Sequence, residues 1–192
     1  QRENVYHNLL RSLYELTDDS ADELLKIDST NIFYEKLRVN LLRTDKLADY
    51  KAQLKDISDS ASLIDLMEDG NEKIFKRRDL TVRRERIGSD IFNFVFVSPR
   101  TDKRDFADFE AFVNDPTIQI REKSLFTSAL SLSLFHRFDS KKVQLLMKIA
   151  SSDNVQLRAR AIVGLVVVMQ MYDVRWGLYP ELQSQLSIMA ED

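Results

Sequence analysis

The chain has 192 residues, 44% of them hydrophobic, and a net charge of −3, which suits one globular core or a short run of stacked units. It contains no cysteine, so disulfides, thiolate zinc sites and a cysteine nucleophile are excluded. Four glycines and three prolines are too few for the tight turns of an all-β protein, and the abundance of Leu, Lys, Arg and Glu favours helix.

In chain order, the apolar spacing of Val5, Leu9, Leu10, Leu13 and Leu16 predicts an amphipathic helix. Thr17, Asp18, Asp19 and Ser20 are expected to break it and to cap a second helix over 21–27. Ser29, Thr30 and Asn31 would open a third, with Ile32, Leu37, Leu41 and Leu42 on one face. Helices are expected over 46–57 and 61–67, before a turn at Gly70 and Asn71. Charge segregates here. Residues 56–72 carry six acids and no base, whereas 73–86 carry seven bases against Asp79 and Glu85.

From Leu80 onward the chain repeats itself. Leu80, Val82, Arg83 and Ile87 match Ile118, Ile120, Arg121 and Leu125, and these match Val155, Leu157, Arg158 and Ile162. The spacings are 38 and 37 residues. A fixed period of this size marks stacked units that cannot bury their apolar faces alone. Each octet is expected to open the second helix of its unit, behind Asp79, Asp115 with Pro116, or Asp153 with Asn154. The first helices would lie at 105–113 and 141–150, and a last one at 178–189. Residues 90–97 and 166–168 read as strands on propensity alone. Their place in the units makes them buried helix instead.

Paired helices, the period of 37 to 38 and an Asp followed by Val/Ile/Leu-x-Arg make residues 79–192 resemble HEAT-type (armadillo-like) repeats. Ala159, Ala161, Gly88 and Gly164 stand where that family tends to be small. The resemblance implies an all-α, right-handed α-α superhelix, and a curved surface that binds a protein or a nucleic acid. The chain then divides into an irregular or degenerate helical region at 1–72 and HEAT-like repeats at 73–192. The recurring Arg83, Arg121 and Arg158 are expected to tie successive units together, through Asp79, Asp115 and Asp153 or helix-end carbonyls.

No set of residues for chemistry emerges. His7 and His136 stand far apart, no metal-spaced pair or glycine-rich phosphate loop occurs, and the acids at 18–23 lack the spacing of a calcium loop. No cofactor is expected. The longest apolar run, 161–169, is far below the ~20 residues of a membrane span. The candidate interaction residues are Lys76, Arg77, Arg78, Arg83, Arg84 and Arg86 in the basic stretch, and Trp176 in an aromatic turn. The expected function is a non-enzymatic scaffold for protein–protein interaction, cytoplasmic and part of a longer chain. Nucleic-acid binding through 73–86 and a purely structural spacer are the alternatives.

Overall fold

A computed structural model describes residues 2–28, 47–68 and 70–191. The helices are α1 (Arg2–Asp28), α2 (Leu47–Asp65), α3 (Gly70–Val97), α4 (Lys103–Asn114), α5 (Ile120–His136), α6 (Ser140–Ala150), α7 (Val155–Met171) and α8 (Pro180–Glu191), with a 3₁₀ segment at Asp173–Leu178. The described residues contain no strand.

Side-chain caps set several helix starts. Asp102 accepts from the backbone N–H groups of Arg104 (2.6 Å) and Asp105 (2.8 Å), and Asp105 returns the favour to the Asp102 N–H at 3.1 Å, a reciprocal capping box. Asp139 caps α6 through Lys141 and Lys142, and Asn154 caps α7 through Gln156 and Leu157.

Helices α3, α5 and α7 pack side by side as one layer. Helices α2, α4, α6 and α8 form a second layer against them. The core lies between the layers. Phe126 of α5 stacks on Phe112 (5.1 Å) and meets Phe109 edge-on (5.4 Å), both from α4, and Leu130, Leu134 and Leu146 are fully enclosed nearby.

The β-like run 90–97 is indeed helical. Ile91 and Val95 point into the core, while Phe92 and Phe96 stack on each other along the same helix. The octet at 80–87 differs from expectation. It lies inside α3, which starts at Gly70, and Asp79 is a mid-helix residue. The helices expected over 46–57 and 61–67 are one, because α2 runs unbroken from Leu47 to Asp65 and ends before Leu66. The expected helix over 29–42 lies outside the described residues.

Helix α1 also departs from expectation, running straight through Thr17–Ser20. The Thr17 hydroxyl donates to the Leu13 carbonyl at 2.8 Å, which supplements the backbone ladder rather than competing with it. The acids that follow are matched by arginines from distant loops, so no local capping role is left to them.

Candidate interaction surfaces

Two surfaces emerge. The first is the outer face of the α3–α5–α7 layer. Gly164 brings α7 close to α5: a Cβ there would lie 2.1 Å from Ser131 Oγ and 2.8 Å from Ser131 Cβ. Beside this close approach, Leu132 and Phe135 of α5 face Val163 and Val167 of α7 across an open apolar groove of about 480 Å³. At its end Arg160 donates to Ser128 Oγ at 3.1 Å. Arg160 also borders a neighbouring polar cleft of about 530 Å³, shared with Arg84, Glu85, Arg121 and Glu122.

Within that cleft the helices are tied by charge. Arg121 of α5 donates to Glu85 of α3 at 3.0 Å. Arg84 Nε donates to Glu122 Oε1 at 2.7 Å, and Glu122 is only 1% exposed. A carboxylate so deeply placed requires a charged partner, and Arg84 supplies it from the same octet position one unit earlier.

The second surface is the row of loops joining the layers, which holds α1. Arg100, Arg137 and Arg175 stand in every second connection between helices, 37 and 38 residues apart, Arg175 within the 3₁₀ segment. Arg100 reaches Glu15 (3.3 Å) and Asp19 (3.1 Å). Arg137 reaches Asp19 (3.7 Å) and Asp22 (3.6 Å). Arg175 makes a two-pronged pair with Asp18 at 2.5 and 2.9 Å, and its guanidinium lies over the Tyr14 ring at 4.6 Å. Burial works against the charge of Arg100, yet the hydrogen bond to Asp19 and the fields of Glu15, Asp19 and Asp139 raise its pKa above the ordinary value. The hydrogen bond to Asp18 does the same for Arg175. From α1 itself, Arg11 donates to the Leu178 carbonyl and lies over the Tyr179 ring at 4.3 Å. Burial, followed by the charge of Glu15, pushes the Tyr179 phenol up to about 12.

The sequence-derived residues scatter. In the basic stretch, Arg77 pairs with Asp65, Lys73 donates to the Asp65 carbonyl and Lys76 pairs with Glu72 at 2.6 Å. The acidic run therefore neutralises part of the basic one. Arg84 belongs to the α3–α5 tie, Arg86 lies near the half-buried Asp90, and Arg78 and Arg83 are exposed. Of the recurring arginines, Arg121 joins two helices through Glu85 rather than an octet-preceding Asp, and Arg158 donates to the Ser152 carbonyl of its own turn at 3.2 Å. Asp115 pairs with Lys51 of α2 at 2.5 Å and accepts from Thr117, and these contacts hold its carboxyl well below the usual range. Asp153 is exposed. Trp176 is buried, its indole N–H donating to the Met169 carbonyl at 3.2 Å, so it plugs the core.

Sequence reasoning overlooked Arg100, Arg137 and Arg175. Their signal was present: an Arg at the octet period, each followed by a residue that the fold buries, Thr101, Phe138 or Trp176. Compared with protein-family models, with curated proteins and with solved structures, the chain matches none. Among the described residues no group of three or more His, Asp or Glu side chains is placed to hold a metal ion. No described helix is long and apolar enough to cross a membrane.

Proposed function

We propose that the chain is a non-enzymatic, HEAT-like helical-repeat module of the cytoplasm, its helix pairs stacked in a right-handed superhelix. It binds a partner protein through the outer face of α3, α5 and α7. The observation that carries this reading is the apolar groove between Leu132, Phe135, Val163 and Val167, with Arg160 at its polar end. That shape and charge suit an amphipathic helix of the partner. Its apolar side would enter the groove, with an acidic residue meeting Arg160 at one end. Nucleic-acid binding is the weaker alternative, since Lys73, Lys76, Arg77 and Arg84 are engaged by this chain's own groups.

The test is selection of displayed amphipathic helices on the wild-type protein, followed by fluorescence anisotropy. Helices that lose at least about tenfold affinity toward Leu132→Glu/Val163→Glu, and lose less toward Arg160→Glu, support the groove. Enrichment of no helix, or equal binding to the groove variant, would sink it. Labelled single-stranded RNA provides the contrast. Binding abolished by reversing Arg78, Arg83 and Arg86, with a flattened salt slope, would move the function to the basic stretch.

A further inference from the structure

Helix α1 is mounted with its charged side inward. Arg11, Tyr14, Asp18 and Asp22 face the body, while Val5, Tyr6, Leu9, Leu13, Leu16 and Leu24 face outward, each 57–65% exposed. A helix on a globular surface ordinarily does the reverse. The loop arginines impose this orientation: turning the leucines inward would strand Arg100, Arg137 and Arg175 without their acids.

We propose that this outward stripe is a self-association surface, on which α1 of one copy of the chain pairs with α1 of a second. Tyr6, Leu9, Leu13, Leu16 and Ser20 are spaced 3, 4, 3 and 4 residues apart, the seam of a two-stranded coiled coil. Val5 and Leu24 widen the seam at its flanks. The other flanking positions suit a like partner: Ser12 and Thr17 carry no charge, and Asp19 is turned to Arg100. Over residues 5–20 two copies therefore meet without like-charge repulsion. The six outward side chains would remove on the order of 600 Å² per copy, roughly 1,200 Å² for the pair, the lower edge of a stable interface. Much of the ordering cost is already met, because α1 is fixed by its arginine contacts before the partner arrives. A lipid surface is the poorer occupant. Interfacial helices carry Lys or Arg beside the apolar face, whereas among the described side chains the outward side of α1 offers one base, Arg2, with Glu3, Asn4, Asn8 and Glu23.

The full chain can be tested by sedimentation equilibrium. The wild type is expected at twice its 22.4 kDa at roughly 100 µM, a weak dimer. Leu9→Glu/Leu13→Glu is expected at the single mass with unchanged helicity, since both side chains are exposed. The absence of native cysteine allows a sharper test. Leu13 lies at the centre of the seam, so Leu13→Cys meets its own copy in either helix direction and should form a disulfide dimer under mild oxidation. Val166→Cys, on the exposed edge of α7, should not. A monomeric wild type overturns the proposal, as does a dimer indifferent to Leu9→Glu/Leu13→Glu, a dimer cross-linked through Val166→Cys, or a monomer that floats with phosphatidylcholine–phosphatidylserine vesicles. The groove variant Leu132→Glu/Val163→Glu should still dimerise, so failure of the groove and failure of the stripe are told apart.

Discussion

Arg175 and Asp18, 157 residues apart, close a two-pronged ion pair in which each side chain is only 14% exposed. The pair fastens the first helix to the last inter-layer loop, and the Tyr14 and Tyr172 rings flank its cation. Arginine suits this place because its planar fork serves a carboxylate and ring faces together.

Removing one partner should therefore free α1 without unfolding the two layers. Asp18→Asn is expected to lower the stability of α1 docking by about 2 kcal/mol, less than a fully buried pair would lose. Hydrogen exchange should speed up in residues 2–24, while α5 and α6 keep their protection. The exchanged pair Asp18→Arg/Arg175→Asp should recover part of the loss. Uniform acceleration across the chain would mean that α1 is integral to the core rather than strapped onto it.

The Arg84–Glu122 tie between α3 and α5 obeys a different balance. Glu122 is buried in the polar cleft, so Arg84→Met leaves a carboxylate without its counter-charge. The expected loss is about 3–5 kcal/mol, seen as a fall in the urea midpoint at unchanged slope. Arg84→Met/Glu122→Leu should return close to wild type, because two apolar side chains of similar volume replace the pair. A double variant as unstable as the single one would show that the pair itself holds the helices together.

The contrast between these two ties shows what was legible in the sequence. Helical register correctly overruled the strand propensity of 90–97, because Ile91 and Val95 keep the spacing of a buried face. Trp176, expected as an interaction residue in an aromatic turn, is instead held in the core, where its indole N–H finds the Met169 carbonyl. The continuity of α1 through Thr17–Ser20 was hidden, because the acids that look like a local cap are matched by Arg100, Arg137 and Arg175, far away in the chain. The same long-range pairing decides which side of α1 faces out, and local periodicity carries no information on that. In the groove, Gly164 was legible as a small position. Its use, a close approach to Ser131, depends on the neighbouring helix.

That close approach is a test of the α5–α7 packing. Gly164→Ala places a methyl carbon 2.1 Å from Ser131 Oγ and 2.8 Å from its Cβ, so rotating the hydroxyl alone cannot make room. The helices must separate, at an expected cost of about 1–3 kcal/mol. Ser131→Gly removes both clashing atoms. The double variant should therefore recover stability relative to Gly164→Ala, with a coupling energy of about 1 kcal/mol or more in a double-mutant cycle. Simple additivity would place the strain elsewhere.

Lys142 gives the fold a pH signature. Its ammonium is buried beneath the α3–α4 loop, where Nζ donates to the Ser98 Oγ at 2.8 Å and the Ser98 carbonyl at 3.3 Å. Burial pushes its pKa down to about 8, against the opposing field of Asp139. Below pH 8 both folded and unfolded chains hold this proton, and the burial penalty is present in full. Above pH 8 the folded chain releases it while the unfolded chain keeps it up to about 10.4, so stability rises with pH. The rise should approach 1.4 kcal/mol per unit between pH 8 and 10. Beyond pH 10 the raised pKa of Tyr179 acts in the opposite direction, because the unfolded chain ionises its phenol first. Lys142→Met should be no less stable than wild type at pH 7, and the difference between the two urea midpoints should shrink as pH climbs from 8 to 10. A difference that stays constant over that range would mean that Lys142 keeps its proton in the folded chain.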